Sequence, residues 1–234
     1  MATLLLRLSA PLQAWGDESK YDIRQTYREP SKSGVIGMLA AALGLKRDSD
    51  EIVRLSDALR MGVRVDMPGK VIMDFHTALA PSYRKKGDLQ YDSYVTHRYY
   101  LCDAAFLVGL ESQDEILLDR LAKAVQNPCY PLYLGRRSCP PTGPLFLGVR
   151  ASSLEETLRR EPWIASDWYK RSHSASRLRM ILETERGETA WHSLRDNPVS
   201  FSPEHRRFAH RGIKPEQFVA LSDEHDPMLE LQDI

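Results

Sequence analysis

The stretch AAFLVGLESQDEILLDRLAKAVQ, residues 104–126, decides the fold class. Ala104 to Leu110 is an apolar run of strand length, and from Asp114 the residues Ile116, Leu117, Leu121, Ala124 and Val125 fall along one side of a helix. Working backward, Ser93 to Tyr100 is rich in Tyr, Val and Thr and predicts a strand. Val71 to Leu79 predicts its partner, and the polar run Pro81 to Asp92 between them predicts a hairpin tip. Met61 to Val65 predicts a further strand, and the spacing of Ile52, Val53, Leu55 and Leu59 predicts a helix over Asp50 to Leu59. Ser33 to Leu43, with serines ahead and Gly44 behind, predicts another helix, whose small side (Gly37, Ala40, Ala41) suits close packing on a sheet. Thr3 to Leu8 opens the chain as a buried strand ended at Ser9-Ala10-Pro11. Forward of the starting helix, Asn127 to Pro144 carries five prolines and predicts an irregular loop, and Leu145 to Val149 predicts the closing strand. Strand, helix, strand, hairpin, strand, helix, strand is the split βαββαβ order of an α+β, ferredoxin-like domain over residues 1–150, with a hairpin inserted at about 71–100.

Residues 151–234 read as a small C-terminal extension. A short helix over 152–160 and short strands at 177–183 and 218–221 are expected, with irregular chain between them. An acidic tail follows, holding six acids and no Lys or Arg from Pro215 onward.

Composition bounds the function. Hydrophobic residues at 42% and charged ones at 27% describe a soluble globular chain. Lys+Arg and Asp+Glu are both 32, which excludes the strongly basic balance that by itself announces a nucleic-acid binder. The distribution is uneven, however. Residues 1–47 hold seven Lys/Arg against four acids, and residues 127–150 hold Arg136, Arg137 and Arg150 against none. A neutral protein can present an anion-attracting face in this way. Cys102, Cys129 and Cys139 form no C-x-x-C pair, which argues against a disulfide scaffold and a structural zinc site, and free thiols suit the cytoplasm. The N-terminal run lacks a basic region ahead of it and contains Arg7, so no signal peptide is expected, and no apolar stretch reaches the ~20 residues of a membrane span.

Three constellations bear on chemistry. Ser31-Lys32-Ser33-Gly34 opens a helix, where free N–H groups and the dipole favour phosphate, although a plain Ser cap explains the same pattern. Tyr133-Leu134-Gly135-Arg136-Arg137-Ser138 sets paired guanidinium forks beside a glycine in an acid-free loop, an arrangement suited to phosphate and to a stacked base. The excursion from Val71 to Tyr100 interleaves Lys85, Lys86 and Arg98 with tyrosines, a pattern shared by single-strand binding surfaces and ordinary strands. His76, His97, Lys85 and Tyr99 are the candidates for metal-free acid–base work on RNA, with nothing in their spacing that demands it.

The segments Leu6-Arg7-Leu8-Ser9-Ala10-Pro11-Leu12-Gln13-Ala14-Trp15-Gly16, Pro30-Ser31-Lys32-Ser33-Gly34-Val35-Ile36-Gly37 and Tyr100-Leu101-Cys102-Asp103-Ala104 resemble the CasD family in order. So does Tyr133-Leu134-Gly135-Arg136-Arg137-Ser138-Cys139-Pro140, followed by Pro144-Leu145-Phe146-Leu147-Gly148, and the resemblance extends over residues 4–150. It implies a RAMP-superfamily domain related to the RNA recognition motif, with residues 71–100 as a β-hairpin thumb. It implies, too, a non-catalytic, cytoplasmic subunit of the type I-E CRISPR complex Cascade that holds the 5′ handle of the CRISPR RNA. The partners implied are backbone subunits and the large subunit, with target DNA engaged indirectly, no membrane, and neither cofactor nor metal. Carried over by position, Gln13, Trp15, Arg24, Ser31, Lys32, Ser33, Arg136 and Arg137 are expected to approach the handle, joined by Lys85, Lys86 and Arg98 from the excursion. The alternative is a metal-independent endoribonuclease that cuts CRISPR repeat RNA.

Overall fold

The computed structural model describes residues 1–16, 22–83, 89–173, 177–185, 187–202 and 204–220. In chain order the elements are β1 (Ala2–Gln13), β2 (Ile23–Arg24), α1 (Lys32–Ala42), α2 (Glu51–Ala58), β3 (Arg60–Met67), β4 (Lys70–Tyr83) and β5 (Leu89–Ser112). There follow α3 (Glu115–Gln126), β6 (Phe146–Arg150), α4 (Leu154–Arg160), α5 (Asp167–Ser172), β7 (Arg177–Leu182), β8 (His192–Ser200), β9 (Arg207–Ile213) and β10 (Gln217–Ala220). The result is a mixed α/β protein built on one sheet in the order β10-β7-β3-β5-β1-β6, with β2 and β4 also paired to β5. β2 runs parallel to β5, and the other pairings of this sheet are antiparallel.

The unbroken leucine run of β1 is explained by burial on both faces. Leu4, Leu6 and Leu8 pack with Phe106 and Val108 of β5 and with Val35, Leu39 and Leu121 of α1 and α3. Leu5 faces the other way, toward Leu107, Leu154, Leu158, Met180 and Leu182. On that second face α4 lies close to the strands because two residues beneath it lack side chains. A Cβ at Gly62 would come within 2.8 Å of a Leu158 methyl, and one at Gly109 within 2.7 Å of a Leu154 methyl. The helices start where capping residues allow: Ser31 Oγ accepts from Gly34 N at 3.3 Å, and Asp114 Oδ1 accepts from Leu117 N at 3.0 Å.

Several expectations need correction. β1 does not stop at Pro11, because the register steps over Pro11 and the opposing Asp103 and resumes at Leu12↔Cys102. Asp103 takes a left-handed φ of 55°, so the missing proline N–H falls opposite a local kink and the ladder survives. The two strands expected at 93–100 and 104–110 are one strand, β5, whose first half pairs with β4 and whose second half pairs with β1 and β3. Gly37 of the small helix side lies beneath the Phe201 ring, 3.7 Å from where its Cβ would be, and so faces the chain that follows β8.

Beyond Arg150 the chain is more regular than its sequence suggests. β7 pairs with β3 and carries β10 outside it, so the extension continues the same sheet. β8 and β9 form a hairpin of their own, with register shifts at 194/197 and 198/200 that blur the period-two pattern. Arg64, fully buried in β3, fastens the 158–164 segment. Its Nε and Nη2 grip Asp66 at 2.8 Å each, and its remaining N–H groups donate to the carbonyl oxygens of Leu158, Glu161 and Pro162. The acidic tail from residue 221 lies outside the described residues.

Candidate nucleic-acid interface

The hairpin β4–β5 projects from the sheet over fourteen paired positions, from Lys70↔Cys102 to Tyr83↔Leu89. At ~3.4 Å per residue this is about 45 Å of ladder. At its root, β2 lies alongside β5 with Arg24 in register with Arg98, so the two side chains stand on neighbouring strands about 4.8 Å apart. The loop after α3 closes over the same place. Ala14 N donates to Leu134 O at 3.1 Å, and Cys139 N donates back to Arg136 O at 2.9 Å, folding the loop into a tight turn. Gly135 has φ +92°, and a Cβ there would sit 1.6 Å from Ala14 O, so only glycine permits this contact.

Arg136 binds the pieces together. Its Nη1 donates to Tyr99 O at 3.1 Å, its Nη2 donates to Arg24 O at 3.0 Å, and its guanidinium lies 4.5 Å from the Tyr100 ring centroid. The side chains of Arg24 and Arg137 are exposed beside it, and Arg98 is half-buried with Nε donating to Thr96 Oγ1 at 3.3 Å. Arg24, Arg98 and Arg136, from β2, β5 and the proline-rich loop, therefore gather at one place with exposed Arg137 next along the chain, and among the described residues none of the four is ion-paired. Such a surface can bind consecutive phosphates.

Other sequence-named residues lie elsewhere. Gln13 and Trp15 are fully buried: Gln13 Nε2 donates to Ala104 O at 2.7 Å, and Trp15 Nε1 donates to Gln13 Oε1 at 3.1 Å. They form the floor beneath the arginines and expose nothing to a ligand. Ser31 is spent on the helix cap, with half-buried Ser33 Oγ 3.4 Å from it. Lys32 is 3% exposed, and its Nζ donates to Glu183 Oε1 at 2.7 Å. The anion expected at this helix start is supplied from within, because Lys32 N donates to Asp196 Oδ2 at 2.8 Å. Asp196 in turn holds Arg211 through Nε at 2.6 Å and Nη2 at 3.0 Å. Burial pushes the Lys32 ammonium below its ordinary range, with Glu183 pulling it back up. Glu183 and Asp196 escape a reading of the sequence because they lie 151 and 164 residues from Lys32 and sit in no motif. Lys85 and Lys86 lie outside the described residues.

The acid–base candidates do not converge. His76 pairs with Thr96 and His97 with Phe75, which places the two imidazoles on opposite faces of the hairpin. Among the described residues no three His, Cys, Asp or Glu side chains stand close enough to hold a metal ion. Burial pushes the Cys139 thiol up, and burial together with the neighbouring Asp103 carboxylate does the same to Cys102. No helix is long and apolar enough to cross a membrane among the described residues.

The profile of the family described as CRISPR-associated protein (Cas_Cas5) covers residues 3–213, and the chain belongs to this Cas5 family. It is 35% identical over 220 residues to the CRISPR system Cascade subunit CasD of Escherichia coli (strain K12), across 89% of this chain and 92% of that protein. It is also similar to a chain solved as part of a CRISPR RNA-guided surveillance complex, with a TM-score of 0.75 and 31% identity over 99% of this chain and 98% of that one. A crystal structure of a Cas protein matches with a TM-score of 0.70 and 39% identity over 93% and 95% of the two chains.

Proposed function

We propose that this chain is a non-catalytic subunit of a CRISPR RNA-guided surveillance complex of the Cascade type, and that it holds the 5′ handle of the guide RNA on the arginine cluster at the hairpin root. The observation that carries the proposal is the meeting of Arg24, Arg98 and Arg136, drawn from three separate segments with Arg137 next along the loop, none of them ion-paired to a carboxylate among the described residues. The β4–β5 hairpin then acts as a thumb toward the guide and the adjacent backbone subunit, with the large subunit nearby and target DNA reached only through the complex. The strand order β6-β1-β5-β3, with α1 and α3 on one face, supports reading this part of the chain as a ferredoxin-like RAMP domain. Assembly on a guide RNA is in keeping with a cytoplasmic protein.

The test uses full-length protein and labelled repeat RNA in chelator, with retention and cleavage scored over a range of salt. Arg24→Ala with Arg137→Ala removes two exposed side chains and leaves the Arg136 anchor in place. Affinity should fall, and the dependence of log K on log salt should flatten by about 0.7 for each single-strand phosphate that is no longer neutralised. An unchanged affinity and slope would refute the assignment. Site-specific cleavage abolished by His76→Ala or His97→Ala would overturn it in favour of the endoribonuclease.

A further inference from the structure

A pocket of about 250 Å³ opens on the face of the sheet that carries α5, at the point where β1, β5 and the proline-rich loop meet. This is below the roughly 300–1,000 Å³ of sites for drug-sized ligands, and its scale is that of a single planar ring system. The lining groups that concern chemistry are Arg7, Ser9, Asp103, Thr142, Ser166 and Trp168. Three observations set the place apart. Arg7 is the one charged residue of β1, half-buried, and its guanidinium has no hydrogen-bond or ionic partner among the described residues. Gly143 has φ +73°, and a Cβ there would come within 2.9 Å of Arg7 Nη1, so the loop leaves room for that guanidinium. Asp103 is exposed and has positive φ (55°), the one such non-glycine residue among those described, and non-glycine residues held in this way cluster at binding sites. Trp168 also lines the pocket and is 54% exposed, although its neighbour Tyr169 packs edge-on against it at 5.6 Å.

A half-exposed indole offers a stacking face. A carboxylate accepts from an exocyclic amine, and an unpaired guanidinium donates to a ring carbonyl or a phosphate. We propose that this pocket takes one unstacked nucleobase of the bound RNA, laid on Trp168, with an amino-bearing edge toward Asp103 and an oxygen acceptor toward Arg7. The proposal rests on the RNA-binding reading above and adds a second contact to it. The same loop carries Arg136 and Arg137 at one end and Thr142 at the other, where Thr142 N donates to Ser9 O at 2.8 Å, so one strand of RNA can meet both.

The test is repeat RNA carrying 2-aminopurine at one handle position at a time, titrated with full-length protein. One position should be quenched on binding. Trp168→Ala should abolish that quench and weaken binding by at least about fivefold, the lower end for removing a base–aromatic stack. Trp168→Phe should keep part of both effects, which separates stacking from folding. Trp191→Ala, which removes another exposed indole, should change neither. Free nucleoside monophosphates distinguish a pocket for a lone nucleotide from one that needs the strand, and tight binding of the monophosphate with no quench in RNA would overturn the proposal. If the wild-type protein binds RNA and Arg24→Ala with Arg137→Ala weakens it, yet Trp168→Ala leaves affinity and quench intact, the pocket fails and the interface stands. If the wild type binds no RNA, both fail together.

Discussion

Asp196→Ala is the substitution on which the packing account rests most heavily. The carboxylate is 4% exposed and accepts from Lys32 N at 2.8 Å, Arg211 Nε at 2.6 Å and Arg211 Nη2 at 3.0 Å. Without it, Arg211 is left 7% exposed, with Glu183 Oε2 at 3.9 Å as its remaining counter-charge, and the first turn of α1 is short of an acceptor. Removing one partner of a buried pair costs about 3–5 kcal/mol, because the other charge remains desolvated. Against a total of about 5–15 kcal/mol this is a large share of the stability. Urea unfolding, followed by circular dichroism and by fluorescence, should show the midpoint falling by at least about 1 M if the slope is at most about 3 kcal/mol/M. Asp119→Ala, which removes only the exposed i,i+4 partner of Lys123, should cost under about 0.5 kcal/mol. A second arm isolates the helix terminus. With its internal anion gone, α1 should accept sulfate, so sulfate should restabilise Asp196→Ala more than the wild type. A loss below about 1 kcal/mol, or equal sulfate responses, would refute the idea that Asp196 fills this site.

Three further outcomes are expected. Arg64→Lys cannot reproduce a fork that grips Asp66 twice and three carbonyl oxygens besides, so it should cost about 3 kcal/mol, or about 6 °C or more in Tm by calorimetry; an unchanged Tm would count against the buried clamp. Alkylation mapped by mass spectrometry should modify exposed Cys129 first and buried Cys139, whose thiol is pushed up, last; early modification of Cys139 in the folded protein would contradict its burial. Lys32 is held below its ordinary 10.5 by burial, so the unfolded chain binds that proton more tightly than the folded one. The stability of wild type relative to Lys32→Met should therefore rise with pH through the window that ends at 10.5, and a fall across that window would reverse the sign of the argument.

Most of the sheet was legible because its strands and helices announce themselves locally. The Leu-rich opening and the Tyr/Val/Thr run at 93–100 read as strand from composition and the run at 115–126 as helix from periodicity, although the ends of both strands were misplaced. What failed to read was set by tertiary contact. β8 and β9 carry register shifts that break the alternation, and α5, at 167–172, is too short to show a period. Pro11 reads as a strand end, yet the kink at Asp103 across from it lets pairing continue, and no local pattern records an event on a strand ninety residues away. The candidate site was legible in part for the same reason. Residue type and acid-free surroundings picked out Arg136 and Arg137, while exposure, which separates a contact from a support, depends on partners distant in sequence.

That separation bears on why one motif holds both kinds of residue. Guanidinium groups brought together repel one another, so a cluster of them must be held by something that does not neutralise it. Carboxylate partners would hold Arg136 but cancel the charge a phosphate needs. Here the anchors are two backbone carbonyls and the face of Tyr100, which fix the side chain by hydrogen bonds and by the ring quadrupole while adding no net charge. The buried polar pair Gln13 and Trp15 does equivalent work one layer down, bonding to each other and to Ala104 O so that the chain under Gly135 cannot shift. Lys32, by contrast, is neutralised in place by Glu183, as a residue that fastens β7 to α1 should be. On this reading carboxylates are ion-paired where the fold needs closure, whereas at the hairpin root even Asp74, the cross-strand neighbour of Arg98, makes no ion pair with the arginines, so their positive potential remains for an anion.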